Sequence, residues 1–212
     1  MKINHPYTKV HNTSAMLEAK VELRQNLLAH VKPAHVFDAF CGPVGEMWAG
    51  VWRDGAASYI GVDKEYVFPD PRRRFVGDCL VVMRSISLAG YNVFDLDAFG
   101  SPWEAMVVLI ARRRWSKGER GGLAFTDGTT APISLGSIPA GISSLTGIFT
   151  ADRITPKNDM AYAVQESALA AWAEKSRVKL LHRWQVKGRG PTGTTGFPMV
   201  YESIVFEGLG PA

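Results

Sequence analysis

The stretch Asn92-Val93-Phe94-Asp95-Leu96-Asp97-Ala98-Phe99-Gly100-Ser101-Pro102-Trp103 constrains this chain more than any other. An apolar run of strand character stops at Asp97, a turn bearing Gly and Pro follows, and a helical pattern opens near Glu104. That order delivers acidic and aromatic side chains to the carboxyl edge of a sheet, where open α/β folds bind ligands. The plainer reading of the same residues is a strand-turn-helix corner whose Asp caps the next helix.

A second copy of the pattern weighs against the plainer reading. Val36-Phe37-Asp38-Ala39-Phe40-Cys41-Gly42-Pro43-Val44-Gly45 is again an apolar strand running into a glycine-bearing turn, with a helical pattern from Glu46 to Trp52. Gly42 and Gly45 let the backbone approach a ligand, and the helix behind them would aim its first amides at the same place. A third strand, Tyr59-Ile60-Gly61-Val62-Asp63, ends in an acid about twenty residues on, where α/β nucleotide folds hold ribose hydroxyls. The turn carries only G-x-x-G, not the full dinucleotide fingerprint, which counts against a nicotinamide-dependent dehydrogenase.

Taken in order, the chain alternates strands with helices, the pattern of an α/β domain. The first 13 residues read as an arm, and a helix is expected from Ser14 to about His30, with Met16, Leu17, Val21, Leu23, Leu27 and Leu28 as its apolar stripe. Pro69 and Pro71 argue against a full helix between Glu65 and Arg74. A short strand over Phe75–Gly77, a helix over Leu80–Ala89 capped by Gly90, a helix over Glu104–Trp115 and a strand over Gly122–Thr126 follow. Residues 128–155 are rich in Gly, Ser, Thr and Pro. They fit either a substrate-facing loop with a short helix inside or a packed irregular crossover. A helix over Asn158–Lys175, with Met160, Val164, Ala168 and Trp172 on its core face, precedes two long strands, Val178–Lys187 and Met199–Glu207. Joined by a Gly-rich loop, these make an antiparallel hairpin.

These residues resemble the class I S-adenosylmethionine-dependent methyltransferases. The resemblance implies an α/β, Rossmann-like seven-stranded sheet, mostly parallel with the C-terminal antiparallel hairpin, and helices on both faces. It makes residues 1–35 an N-terminal arm and helix and 36–212 the methyltransferase domain. It implies S-adenosyl-L-methionine as cofactor, held by Asp38, Phe40, Cys41, Gly42 and Gly45 of the first turn. Asp63 and Lys64 would lie at the ribose, Asp78 and Cys79 at the adenine, and Asp97 at the reacting end. Asp97-Ala98-Phe99-Gly100 is similar to the catalytic motif of tRNA guanine dimethyltransferases, with Ala98 in place of the family's proline. Catalysis would then fall to Asp97, Ala98 and Phe99, and substrate contact to Phe99, Gly100, Ser101 and Trp103.

The chemistry suits those residue types. Methyl transfer from a sulfonium depends mainly on positioning, and a carboxylate beside a conjugated amine can accept its N–H. Phe99 or Trp103 could stack on an extruded base. Ser101 is more simply a helix cap, and Asp95, on the same face of the strand but deeper, more simply a structural acid. Methylation of a pyrimidine ring carbon needs a thiolate, and neither Cys41 nor Cys79 lies in the organising turn. Two cysteines make no disulfide framework or zinc set, so reduced thiols and a cytoplasmic setting are expected. No signal peptide or membrane span is expected. A net charge of +4 favours an anionic partner. Nucleic acid, RNA before DNA, is the expected one, met by Arg72–Arg74, Arg112–Lys117, or Lys187 with Arg189. Competing readings are the same chemistry on DNA, a small molecule or a protein, and a non-catalytic module of the same fold.

Overall fold

Seven strands form one sheet in the order β3-β2-β1-β4-β5-β7-β6 in this computed structural model, which describes residues 14–98, 100–149, 158–189 and 198–211. In chain order the elements begin with α1 (Ser14–His30) and β1 (His35–Asp38). A helical segment over 46–55 follows, a π turn at Trp48–Trp52 running into the short α2 (Arg53–Gly55). Next come β2 (Ser58–Asp63), β3 (Arg74–Val76), α3 (Cys79–Ser85), β4 (Val93–Leu96), α4 (Trp103–Arg112) and β5 (Arg120–Asp127). α5 (Thr130–Ser134), α6 (Ala140–Thr146), α7 (Asn158–Ser176), β6 (Val178–Arg189) and β7 (Pro198–Gly208) complete the chain. The first five strands pair in parallel, while β7 is antiparallel to both β5 and β6, so the expected α/β sheet with a closing hairpin is what forms.

The central strands feed two cores by the two-residue alternation. Phe37, Phe94, Leu96, Leu123 and Phe125 face α3, α4, α6 and α7. Val36, Val93, Ala124 and Val205 face α1 and the 46–55 segment, through Leu27, Val31, Met47, Val51 and Trp52.

Several expectations shift. On α1 the buried face runs Lys20, Leu23, Arg24, Leu27, so two cations share it with the expected leucines. α3 ends at Ser85 rather than Ala89, and the chain reaches β4 through a turn in which Gly90 has no positive φ and caps nothing. Residues 128–149 hold two short helices. α6 is packed so closely on α4 that a Cβ on Gly141 would stand 2.5 Å from the Trp103 backbone, so the packed crossover, not an open loop, describes this part. On α7, Met160 is exposed, and Ala161, Ala168, Leu169 and Trp172 carry the core contact. The expected arm at residues 1–13, Phe99, and the hairpin loop at 190–197 lie outside the described residues.

Candidate active site at the carboxyl edge

The turn after β1 is built to be tight. Gly42 and Gly45 have φ of +61° and +70°, the left-handed region in which an L side chain is strained. The loop returns over β2, where the Cys41 amide donates to the Val62 carbonyl at 3.0 Å and a Cβ on Gly61 would press 2.8 Å from the Cys41 side chain. Asp38, at the end of β1, is buried and accepts from the Tyr59 hydroxyl at 2.9 Å and the Phe40 amide at 3.3 Å. Burial, reinforced by the nearby Asp95, pushes its carboxyl well above the usual carboxylate range, against the Tyr59 hydrogen bond and the pull of Arg24.

Arg72 holds this turn, a role the sequence did not suggest. Its guanidinium donates to the carbonyls of Cys41 (2.9 Å), Gly42 (2.8 Å) and Pro43 (3.1 Å), and Asp70 takes Nε and Nη2 at 2.8 and 2.7 Å. Its donors are thus committed within the chain, and its side chain is only 3% exposed. Arg74 pairs with the same Asp70. Of Arg72–Arg74 only Arg73 stands out in solvent, so this triplet is chiefly an internal clamp and not a phosphate patch.

Asp63 ends β2, half-buried, and accepts from the Glu65 amide at 2.8 Å. Asp78 caps α3, accepting from the Leu80 and Val81 amides at 3.0 and 3.2 Å, and pairs with the exposed Lys64 at 2.9 Å. That pairing, with the two amides, holds Asp78 below its ordinary value against partial burial. Lys64 is therefore engaged with Asp78. Cys41 and Cys79 are buried thiols, pushed up to about 12 and about 11 by burial first, then by Asp38 and Asp78 respectively. Burial thus disfavours the thiolate form of both. Phe40 packs against the α3–α4 core and is only partly buried.

At the end of β4 two acids point to the α1 face. Asp95 is fully buried. Arg24 grips it in bidentate fashion, Nε at 2.6 Å and Nη2 at 2.5 Å, and the Trp52 indole N–H adds a bond at 3.0 Å. Asp97 lies at the rim with 14% of its side chain exposed. Lys20 Nζ is 2.8 Å from both of its oxygens, the Thr126 hydroxyl donates to Oδ1, and Arg24 Nη2 is 3.6 Å from Oδ2. Burial opposes ionisation of Asp97, but Lys20 and Arg24 outweigh it and hold its carboxyl below the usual range. Ala98 is buried, its amide turned back to the Leu96 carbonyl at 2.7 Å. Gly100 has φ +111°, and its carbonyl accepts from the Gly128 amide at 2.7 Å, tying this turn to the end of β5.

Two expected substrate contacts change role. Trp103 is 1% exposed, stands 6.1 Å from Phe125 ring to ring, and gives its indole N–H to Asp127 at 2.9 Å. It is a core residue and cannot stack on a base from there. Ser101 accepts from the Trp103 amide at 3.3 Å and donates to Glu104 at 2.6 Å, which is helix capping. The residues that sequence reasoning missed are Lys20, Arg24, Arg72, Thr126 and Asp127. Lys20 and Arg24 had a signal, because they are in phase with Leu27 on α1. Arg72 had none.

The basic clusters fall at opposite ends of the sheet. Arg112 ends α4 and residues 113–117 lie between it and β5, at the amino edge, with Arg113 buried against Trp115 and Glu119. Lys187 pairs in register with Val200, beside the end of β5, so it stands at the carboxyl edge, its Nζ 3.6 Å from the Tyr162 ring centroid. A small cleft beside it, under α7, brings Asp127, Gln165, Arg183 and Glu202 together with the apolar Trp103 and Phe125. Among the described residues no group of His, Cys, Asp or Glu is arranged to hold a metal. No described helix is long and apolar enough to cross a membrane.

No family model and no curated protein matches this sequence. Solved structures do match its fold. TYW2 of M. jannaschii, solved in complex with AdoMet, aligns at 12% identity and TM-score 0.52 over 96% of this chain and 78% of its own. Trm1 of Pyrococcus horikoshii, solved with S-adenosyl-L-methionine, aligns at 13% identity and TM-score 0.55 over 99% of this chain. This chain spans only 59% of the Trm1 length. A proposed RNA methyltransferase of Pyrococcus horikoshii aligns at 11% identity and TM-score 0.52, covering 99% and 92% of the two chains. The fold is that of the Rossmann-like, class I methyltransferases.

Proposed function

We propose that this chain is an S-adenosylmethionine-dependent methyltransferase that modifies an exocyclic amino group of a nucleic-acid base, with guanine in RNA the favoured target. One observation carries the reading. The Asp38–Gly45 turn, Asp63, Asp78 and Asp97 lie at or just past the carboxyl ends of β1, β2, β3 and β4, four neighbouring strands of one sheet edge. Ligands of open α/β sheets bind outside that edge. The cofactors present in TYW2 and Trm1 structures of this fold support S-adenosylmethionine as the group the edge would take.

The residues fit such a group. The turn at Gly42 is open, with no atom within 4 Å of where a Cβ would stand, and Arg72 fixes the turn's shape from behind. Asp63 would take the ribose hydroxyls, and Asp78, half-exposed at the helix start, the adenine side. When bound, the sulfonium supplies an electrophilic methyl carbon. The protein's part is orientation: Asp97 and the Ala98 carbonyl would accept the two N–H bonds of the amine and aim its lone pair. Gly100, and Phe99 beside it in the sequence, would contact the base.

Calorimetry with S-adenosylhomocysteine tests the cofactor half. The unmodified chain should bind, and Asp63→Ala should weaken binding by about 1–3 kcal/mol, the worth of a hydrogen bond to a charged group. No detectable binding would end the reading. Labelled S-adenosylmethionine offered with RNA, DNA and metabolite pools tests the acceptor, and transfer only to metabolites would replace the nucleic-acid half.

A further inference from the structure

Lys20 and Arg24 stand one helical turn apart on α1, and both are buried, 6% and 1% exposed. Each meets an acid of the β4 end. Arg24 takes Asp95, and Lys20 takes Asp97. A leucine at position 20 would suffice for packing, since Leu23, Leu27 and Val31 already secure the helix on the sheet. An ammonium in that place costs desolvation unless it is paired, so its presence points to what it does for Asp97. A carboxylate offers about four acceptor directions. Lys20 bonds both oxygens and Thr126 adds a second bond on Oδ1, while Arg24 Nη2 stands 3.6 Å from Oδ2, beyond hydrogen-bond reach, so Oδ2 accepts fewer hydrogen bonds on a side chain that is 14% exposed.

We propose that Lys20 is a positioning residue for Asp97: its ammonium straddles the carboxylate, sets its plane, and leaves Oδ2 as the oxygen that takes an N–H of the target amine. This rests on the amino-methyltransferase reading and adds to it a residue from a helix outside the sheet. The charged and titratable groups around Asp97 come from every packed element. They are Lys20 and Arg24 of α1, Asp95 of β4, Asp38 of β1, and Tyr201 of β7, whose ring lies 5.4 Å from Lys20 Nζ. The Thr126 hydroxyl of β5 completes the shell. Two cations within reach make Asp97 a fixed acceptor and a poor store for a proton. The methyl carbon–sulfur bond breaks as the carbon–nitrogen bond forms, and the surplus proton on nitrogen leaves to water at the rim and not to Asp97.

The experiment follows Asp97 itself. In protein carrying carboxyl-13C aspartate, the Asp97 signal is the one missing in Asp97→Asn. It should titrate below the ordinary carboxylate range, move up by about one pH unit or more in Lys20→Met, the effect of removing a close opposite charge, and return in Lys20→Arg. With bulk tRNA as methyl acceptor, the acid limb of kcat should move in the same direction, while S-adenosylhomocysteine affinity stays within about twofold. An Asp97 titration unmoved in Lys20→Met overturns the proposal. Should Lys20→Met not fold, the unmodified chain still decides. A paired Lys20 ammonium gives a persistent 1H–15N signal that is lost as pH falls through the Asp97 titration, and the absence of that signal overturns the proposal too. Failure of S-adenosylhomocysteine to bind would sink the methyltransferase reading through a separate measurement.

Discussion

Asp95 and Asp97 lie two residues apart on one face of β4, yet their surroundings give them different work. Asp95 is sealed against Arg24 and Trp52, and removing its charge leaves a buried guanidinium uncompensated. Asp95→Asn should therefore cost about 3–5 kcal/mol in urea unfolding, the usual effect of breaking a buried ion pair. Asp97→Asn should leave S-adenosylhomocysteine binding nearly unchanged and lower turnover by about 10²–10³, the usual cost of losing one preorganised hydrogen-bond partner of the reacting group. If Asp95→Asn abolishes turnover while Asp97→Asn spares it, the assignment of the two acids is wrong. The difference in depth was legible from the strand alternation. The partners were not, because Arg24 lies 71 residues away and meets Asp95 only through the way α1 crosses the sheet. Asp127 gives a pH signature. Burial raises it to about 6, against hydrogen bonds from Thr129 and Trp103. An acid raised on folding contributes stability at low pH that is lost as pH climbs from its unfolded value near 4 to its folded value. Across about pH 4 to 6 the unmodified chain should thus lose stability relative to Asp127→Asn, by up to a few kcal/mol. A flat difference between the two would refute the assignment.

The turn after β1 is where local sequence and distant packing meet. Its glycines were readable as a close-approach turn, and the left-handed φ at Gly42 and Gly45 agrees. What keeps it in shape was not readable, since Arg72 sits in a proline-flanked stretch whose cluster of arginines looks like surface charge. Three consecutive carbonyls converge on its guanidinium, and Gly45 must lack a side chain because a Cβ would stand 2.7 Å from Nη1. Arg72→Met should loosen the turn and lower S-adenosylhomocysteine affinity by about tenfold or more, roughly 1.4 kcal/mol. An affinity equal to that of the unmodified chain would show that the turn holds itself. At the same scale, the helix boundaries that moved did so for packing reasons. α3 is short because the chain must turn through residues 87–90 to reach β4, and the 128–149 segment became helical because its Ile142 and Leu145 find an apolar seat against α4 and α7.

Across the whole molecule, the alternation of strands with helices and the two long terminal strands were legible from apolar runs and turn glycines, while the mostly parallel seven-stranded sheet followed from the methyltransferase resemblance. The distribution of charge was not legible. Net charge is a property of composition, while the end of the sheet on which each cluster lands depends on the direction of the element that carries it. Arg114 and Lys117 follow α4, which returns from the carboxyl edge, and so they lie about as far from Asp97 as the sheet allows. Lys187 lies at the end of β6, which runs toward the carboxyl edge because β7 is antiparallel to β5. If RNA docks over that edge, the two clusters should behave oppositely. Lys187→Glu should weaken binding of bulk tRNA about fivefold or more and flatten its salt dependence, since each neutralised phosphate contributes about 0.7–0.9 to the slope of log affinity on log salt. Arg114→Glu with Lys117→Glu should change affinity by less than about twofold at 150 mM salt, where the Debye length is only about 8 Å. Filter binding across a salt series reads both at once. Equal losses from the two variants would mean that RNA is held by charge alone, without regard to the edge that carries Asp97. A loss confined to the Arg114 and Lys117 variant would place the nucleic acid on the opposite face and remove the reason for expecting a base beside Asp97.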